Sequence, residues 1–191
     1  MIKIFNEAFN PDDSLEDLWD FIQEQEFDSS VTSINSSNLP AVFKNSNVKM
    51  NPGTVNLDYG GGKFDNVAEY LKDKDVINLV YDPFNRSKEH NKEVLQIVRK
   101  NGGADTVTCS NVLNVIQEES VRLSVLKNIN RLVKSGGTVY ITVYEGDGSG
   151  QGKSNQKRKS YQTNMKTQDY VDEIEQVFSN VTRKGKLIIA K

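Results

Sequence analysis

The run Val55-Asn56-Leu57-Asp58-Tyr59-Gly60-Gly61-Gly62 decides how the rest of the chain is read. Val55 to Asp58 reads as a short strand that leads into three glycines, and Val67, Ala68, Tyr70 and Leu71 then mark a helix. A strand that ends in glycines and opens into a helix brings backbone N–H groups close to a ligand, because no Cβ stands between them. Two phosphate-binding versions of this arrangement are excluded by particular residues. The dinucleotide fingerprint needs a third glycine where Asp65 stands, and a carboxylate at a helix start repels a pyrophosphate. The phosphate loop needs Ser or Thr after its Gly-Lys pair, but Phe64 follows Gly62-Lys63 and the upstream glycine spacing is absent. What remains is a loop suited to a ligand without phosphates.

Outward from this loop the sequence alternates strand and helix. Val76 to Tyr81 is a second apolar strand ending at Asp82, and a helix over roughly 87–100 turns Val94, Leu95, Ile97 and Val98 inward. Asp105 to Cys109 is the third strand and Glu118 to Val133 the next helix. Thr138 to Val143 is the fourth strand, entered through a Gly136-Gly137 turn. A last helix at about 167–178 precedes two short strands, around Val181 and at Leu187 to Ala190, joined at Lys184-Gly185. This is the pattern of a doubly wound α/β sheet built from parallel βαβ units. The stretch 145–160 breaks it: Glu145-Gly-Asp-Gly-Ser-Gly-Gln-Gly-Lys153 and the basic run Lys157-Arg158-Lys159 predict a mobile loop, acidic at its start and basic at its end. Upstream, residues 12–27 predict a helix capped by Asp12, Asp13 or Ser14 and carrying Leu15, Leu18, Trp19 and Ile22 on one face. The Ser- and Asn-rich residues 28–53 predict a long connection, of the kind that can act as a lid. Residues 1–53 thus form an N-terminal helix and connecting segment, and residues 54–191 the domain.

Composition narrows the chemistry. At 191 residues the chain suits one well-buried core, since single domains run to about 100–200 residues. A net charge of −2 gives no global attraction to nucleic acid, although a local basic patch remains open. One cysteine, Cys109, excludes an intramolecular disulfide, and one histidine, His90, argues against a histidine metal cluster or a Ser/His/Asp triad. No stretch approaches the roughly 20 apolar residues of a membrane helix. The expectation is a soluble, cytoplasmic protein without metal.

The motif Asp58-Tyr59-Gly60-Gly61-Gly62 resembles the first motif of class I S-adenosylmethionine-dependent methyltransferases, an acidic residue followed by Gly-x-Gly. In that family the loop faces the cationic amino-acid end of the cofactor, where a carboxylate such as Asp58 is favourable. Phe64 stands where the family carries a further glycine. Asp82, twenty residues after Gly62, ends the second strand where the family's acid accepts bonds from both ribose hydroxyls, and the aromatic ring of Phe84, after Pro83, can flank the adenine. Thr108-Cys109-Ser110-Asn111-Val112-Leu113-Asn114 leaves the third strand at the same crevice. The resemblance spans roughly residues 54–190. It implies a Rossmann-like, doubly wound, mostly parallel sheet with an antiparallel C-terminal hairpin, and S-adenosylmethionine held by Asp58, Tyr59, Gly60, Gly61, Gly62, Asp82, Pro83, Phe84, Ser110 and Asn111. The family usually fits a further strand between Asp82 and Asp105, which this chain lacks or shortens into the linker before Asp105. The run Asn111 to Ile116 with Tyr161-Gln162 is similar to small bacterial and phage methyltransferase-like proteins.

Other roles remain open for these residues. The glycines can form a plain tight turn, Asp82 can cap the next helix, and Asn111 and Asn114 can be turn or capping residues. His90 can be a solvated helix residue, and Cys109 a small buried hydrophobe. The acceptor is unspecified. The Asn/Asp-Pro-Pro-Tyr/Phe motif of amino-group DNA methyltransferases is replaced by Ser110-Asn111-Val112-Leu113, and no Pro-Cys motif for C5 attack occurs. Lys153, Lys157, Arg158 and Lys159 are candidates for contact with nucleic acid or members of a solvated loop. A non-catalytic methyltransferase-like binding protein in a phage or nucleic-acid modification context is the alternative function, and an enzyme that cleaves S-adenosylmethionine a third.

Overall fold

A computed structural model describes residues 25–32 and 38–191. Over them the elements run α1 (Ala41–Lys44), β1 (Thr54–Tyr59), α2 (Asn66–Lys72), β2 (Val76–Tyr81), α3 (Lys88–Lys100), β3 (Ala104–Ser110), α4 (Glu119–Leu132), β4 (Val133–Thr142), β5 (Gly152–Asn155), β6 (Ser160–Thr163), α5 (Val171–Glu175), β7 (Val181–Lys184) and β8 (Leu187–Ala190). Six strands form one sheet in the order β2-β1-β3-β4-β8-β7. Strands β1 to β4 pair in parallel, whereas β8 runs antiparallel to both β4 and β7. This is the Rossmann-like sheet with its closing hairpin. Among the described residues no strand falls between β2 and β3 in sequence, and β2, paired with β1 alone, is the sheet edge.

Period-two alternation sorts the strand side chains onto two faces. Leu57 and Tyr59, Val107 and Cys109, and Val139 and Ile141 join the larger apolar cluster with residues of α3, α4 and α5. On the opposite face Tyr140 and Leu187 pack with Val42 and Phe43 of α1 and Val67 and Leu71 of α2. Residues 39–50 therefore do more than connect, since Leu39, Val48 and Met50 pack against that second cluster.

Helix α3 begins at Ser87, whose side chain accepts a bond from the His90 N–H, as an N-cap should. Its buried stripe is Asn91, Val94, Leu95 and Val98, and Ile97 is 38% exposed, not inward. At about 100° per residue Ile97 falls about 60° beyond the edge of that stripe. Strand β4 begins at Val133, earlier than the sequence pattern predicts. It pairs through Val133 with Ala104, and regular pairing resumes at Thr138 with Thr106. The Gly136-Gly137 turn is thus an irregularity inside the strand. The last helix is shorter than expected, a 3₁₀ turn at Thr167–Tyr170 followed by α5.

The largest departure concerns residues 145–160. In place of an irregular loop, β5 and β6 form an antiparallel hairpin paired from Gly152 with Thr163 to Asn155 with Ser160. The residues that precede it are fastened at both acidic positions. Glu145 accepts from the Thr167 N–H and hydroxyl and pairs with Lys186, while Asp147 pairs with Lys153. Lys186 foremost, then Thr167, holds the Glu145 carboxyl down at about 2. The predicted helix over 12–27 lies outside the described residues except at 25–27, which are irregular. No helix among the described residues is long and apolar enough to cross a membrane.

Candidate functional site

The carboxyl ends of β1 to β4 open on one side of the sheet, the position where open α/β sheets bind ligands. After β1 the chain turns through Gly60, at φ +73°, whose N–H donates to the Tyr81 carbonyl at 2.7 Å. A Cβ at Gly60 would lie 2.4 Å from Val112 Cγ2, so only glycine lets the loop and the segment after β3 close on each other here. Gly62 donates its N–H to Asp82 Oδ2 at 2.8 Å, tying the end of β1 to the end of β2.

Asp82 organises its own turn as well. Its Oδ1 accepts the N–H groups of Phe84 at 3.0 Å and Asn85 at 2.9 Å, and the Asn85 amide lies 3.3 Å from both carboxylate oxygens. The backbone of Asp82 is held by Asn91, which accepts from its N–H and donates to its carbonyl. Because Ser87 caps α3, Asp82 is not the cap of that helix. Arg86 fixes the other side of the loop, donating to the carbonyls of Gly62 and Phe64 and pairing with Asp65 at 2.7 Å. The charge of Asp65 at the start of α2 is thereby met within the protein.

Asp58 sits beneath the loop. It is 2% exposed, accepts the Thr108 hydroxyl at 2.8 Å, and would lie 2.6 Å from a Cβ on Gly61. Burial pushes its carboxyl up to about 7, the Thr108 bond and Arg86 opposing and the charge of Asp82 adding. Asn56 continues this polar layer, accepting from Thr106 at 2.8 Å and donating to Asn78 and Thr108.

After β3, Ser110 shares a bond with Thr142 across the two strand ends, and Asn111 adopts φ +58°, a left-handed conformation that Asn tolerates. Asn114 is buried, donates to Gln162 Oε1 at 3.0 Å and accepts the Tyr144 N–H.

These elements enclose a cleft of about 610 Å³. The end of β1 and the loop after it contribute Tyr59, Gly60 and Gly62, the turn after β2 contributes Asp82, Pro83 and Phe84, and the end of β3 and the segment after it contribute Ser110 and Asn111. The sequence-predicted residues Asp58 and Gly61 lie behind this wall. His90 points elsewhere, its Nε2 2.8 Å from the Val80 carbonyl, and Cys109 is fully buried with its thiol pushed up by burial and by the Asp58 charge. Neither lines the cleft. Among the described residues no group of three or more His, Cys, Asp or Glu is placed to hold a metal ion.

The remaining walls come from segments that the sequence marks only as a connection able to act as a lid and as a mobile loop. The β5–β6 hairpin contributes Lys153, Tyr161 and Gln162, and the strap formed by residues 25–32 contributes Asp28, Ser29 and Ser30. Ser29 is the junction between them. At φ +51° it donates its N–H to the Lys159 carbonyl and its hydroxyl to the Val115 carbonyl, and its Oγ accepts the Tyr161 N–H. Phe27 stacks on Tyr161 with ring centroids 6.2 Å apart. Arg122 buttresses the floor from α4. It makes two bonds to Glu173, at 2.8 and 2.6 Å, and donates to the carbonyls of Ile116 and Gln117.

A family model described as a methyltransferase domain matches residues 32–181. Among solved structures, the chain is similar to Burkholderia thailandensis 1,6-didemethyltoxoflavin-N1-methyltransferase, crystallised with bound 1,6-didemethyltoxoflavin and S-adenosylhomocysteine. The two are 16% identical, with a TM-score of 0.53, over 73% of this chain and 71% of that one. It is also similar to the pyocyanin biosynthetic protein PhzM, at 13% identity and a TM-score of 0.50 over 78% of this chain. The chain spans 53% of that second protein. At these identities the likeness is one of fold. No curated protein matches the sequence.

Proposed function

This chain belongs to the methyltransferase-domain family, whose methyl donor is S-adenosylmethionine, and we propose that its carboxyl-edge cleft holds that donor beside an acceptor. One observation carries the reading: the loop after β1, the acid after β2 and the turn after β3 converge on a single cleft large enough for a small ligand, within the roughly 300–1,000 Å³ of small-molecule sites. The residues fit the donor. Gly60 leaves bare backbone where a side chain would collide with Val112, and Asp82 presents a carboxylate for hydroxyl donors. Phe84, 37% exposed at the cleft wall, offers an apolar face to a purine. Asp58 supports the loop from below, through Thr108 and against Gly61.

The donor supplies an electrophilic methyl group on a sulfonium. What the protein adds is alignment of donor and acceptor and exclusion of water, and positioning of this kind supplies much of the rate of such a transfer. The strap around Ser29 and the β5–β6 hairpin do the excluding.

A second reading, a methyltransferase fold that no longer binds the donor, draws on one observation. Three backbone N–H groups, those of Gly62, Phe84 and Asn85, already donate to the Asp82 carboxylate at 2.8 to 3.0 Å. A carboxylate offers about four acceptor sites, and only the long bonds from the Asn85 amide, at 3.3 Å, yield easily to a ribose hydroxyl. Calorimetry with S-adenosylmethionine and with S-adenosylhomocysteine separates the readings. Binding with a melting shift, worth about 2.7 kcal/mol at a hundredfold excess over Kd, supports the first. No heat and no shift at millimolar ligand overturns it. Methyl-labelled donor then distinguishes transfer from cleavage or simple retention by the molecule in which the label ends.

A further inference from the structure

The two large aromatic side chains that are exposed among the described residues, Phe84 and Tyr144, both line the same cleft. They stand at its opposite ends. Phe84 follows β2 and Tyr144 follows β4, and β1 and β3 lie between, so three strand spacings of about 4.8 Å put roughly 14 Å between the two strand ends. If Phe84 and Asp82 take the nucleoside of the donor, the Tyr144 end is left for the acceptor.

The backbone of Tyr144 is held in place. Its N–H donates to Asn114 Oδ1 at 3.3 Å, its carbonyl accepts the Gln162 amide at 3.1 Å, and Asn114 and Gln162 bond each other at 3.0 Å. The backbone is clasped on both sides while the residue as a whole is 61% exposed. A tyrosine presented this way loses only two side-chain torsions on engaging a ligand, which keeps the entropic cost of stacking low.

The charges around the cleft select against phosphate. Two carboxylates, Asp28 and Asp82, line it, and the lining lysine, Lys153, is already paired with Asp147 at 3.2 Å. Lys157, Arg158 and Lys159 belong to the hairpin tip and are not part of the lining. The strap and the hairpin form walls of a cleft of about 610 Å³ that must also hold the donor, which leaves room beside it for a small acceptor.

Resting on the donor assignment above, we propose that Tyr144 is the stacking residue of the acceptor subsite, and that the acceptor is a small, planar, phosphate-free ring compound, uncharged or cationic. The experiment measures ligand binding to S-adenosylhomocysteine-saturated protein by saturation-transfer NMR. The probes are quinoxaline, its saturated decahydro counterpart, uridine 5′-monophosphate and a short DNA duplex. Calorimetry on each variant checks that S-adenosylhomocysteine still binds. Quinoxaline is expected to bind the wild type and Tyr144→Phe alike and about tenfold more weakly to Tyr144→Ala, the order of an aromatic pair's contribution. The other three probes are expected to bind far less. Unchanged quinoxaline affinity in Tyr144→Ala, no quinoxaline binding at all, or preference for the nucleotide or the duplex overturns the proposal while leaving the donor assignment standing. Failure of S-adenosylhomocysteine to bind overturns both.

Discussion

Replacing Asp58 with asparagine tests whether the carboxyl beneath the glycine loop carries a proton in the folded protein. Its carboxyl is pushed up to about 7 from 3.8, principally by burial. The folded state therefore holds this proton more tightly than the unfolded chain does. The sign follows from linkage: below about pH 4 both states are protonated and Asp58 costs nothing. As pH rises from 4 to 7 the unfolded chain gives up the proton first, so stability falls, and the loss is complete above 7. About three pKa units at 1.36 kcal/mol each amount to about 4 kcal/mol. In Asp58→Asn the side-chain amide would keep an oxygen to accept the Thr108 hydroxyl and would have no charge to desolvate. The stability of Asp58→Asn relative to the wild type should accordingly be near zero or slightly negative at pH 4.5 and should rise by several kcal/mol by pH 8. Urea titrations of both proteins across that range provide the measurement. The difference cancels groups common to both, including Glu145 and Asp147, whose carboxyls are held down at about 2. A mutant-minus-wild-type difference that stays constant from pH 4.5 to 8 would refute the reasoning, for it would mean that Asp58 ionises as easily in the fold as outside it.

Asp82→Ala is expected to weaken S-adenosylhomocysteine binding by about 1.5–3 kcal/mol and also to lower stability by about 1–3 kcal/mol, because the Gly62, Phe84 and Asn85 N–H groups lose their acceptor. Calorimetry and urea melts on the same variant measure both, and intact stability would contradict the observed bonding. Gly60→Ala should destabilise by about 1–3 kcal/mol and impair binding, since it combines φ +73° with a 2.4 Å clash against Val112, and Gly60→Ala with Val112→Ala should recover part of the loss. Arg122→Met should cost about 3–5 kcal/mol by leaving Glu173 buried and unpaired, while the double change with Glu173→Leu should cost much less, as a double-mutant cycle in urea will show.

Much of the sheet could be read from the chain because short runs of apolar, β-branched and aromatic residues bounded by turn residues have a strong local signal. Val76–Tyr81 and Ala104–Ser110 carry their strand character in the residues themselves. The loop after β1 and the acid after β2 are legible for a related reason, since the βα turn fixes their spacing in sequence. The hairpin that builds the outer wall of the cleft is not. Lys153-Ser154-Asn155 and Ser160-Tyr161-Gln162 have no apolar alternation to announce a strand, and the hairpin they form is anchored to Ser29, more than a hundred residues earlier. Arg86 gives no signal of its role because its partners, Gly62, Phe64 and Asp65, come within reach only when β1 and β2 lie side by side. Asp58 illustrates the converse. The sequence identifies it with the loop, but only the packing of Thr108 and Gly61 over it shows that it lies beneath the cleft wall.

The position of Asp58 also links the sheet to the site. Thr106, Asn56, Thr108 and Asp58 form a chain of hydrogen bonds across β1 and β3, and Gly61 closes over its end. In a low-dielectric layer such a chain is rigid when fully bonded and costly when one member is left unpaired. The loop that we assign to the donor therefore rests on a polar layer whose charge state changes near neutral pH, where an apolar support would have been indifferent to pH. A cationic ligand above this layer favours the ionised carboxylate, and the ionised carboxylate favours the ligand by the same free energy. Donor binding to the wild type should then release a proton near pH 7, whereas Asp58→Asn should bind without proton release. Calorimetry in two buffers of different ionisation enthalpy measures that proton directly. Equal apparent enthalpies in both buffers for the wild type would show that the layer does not sense the ligand.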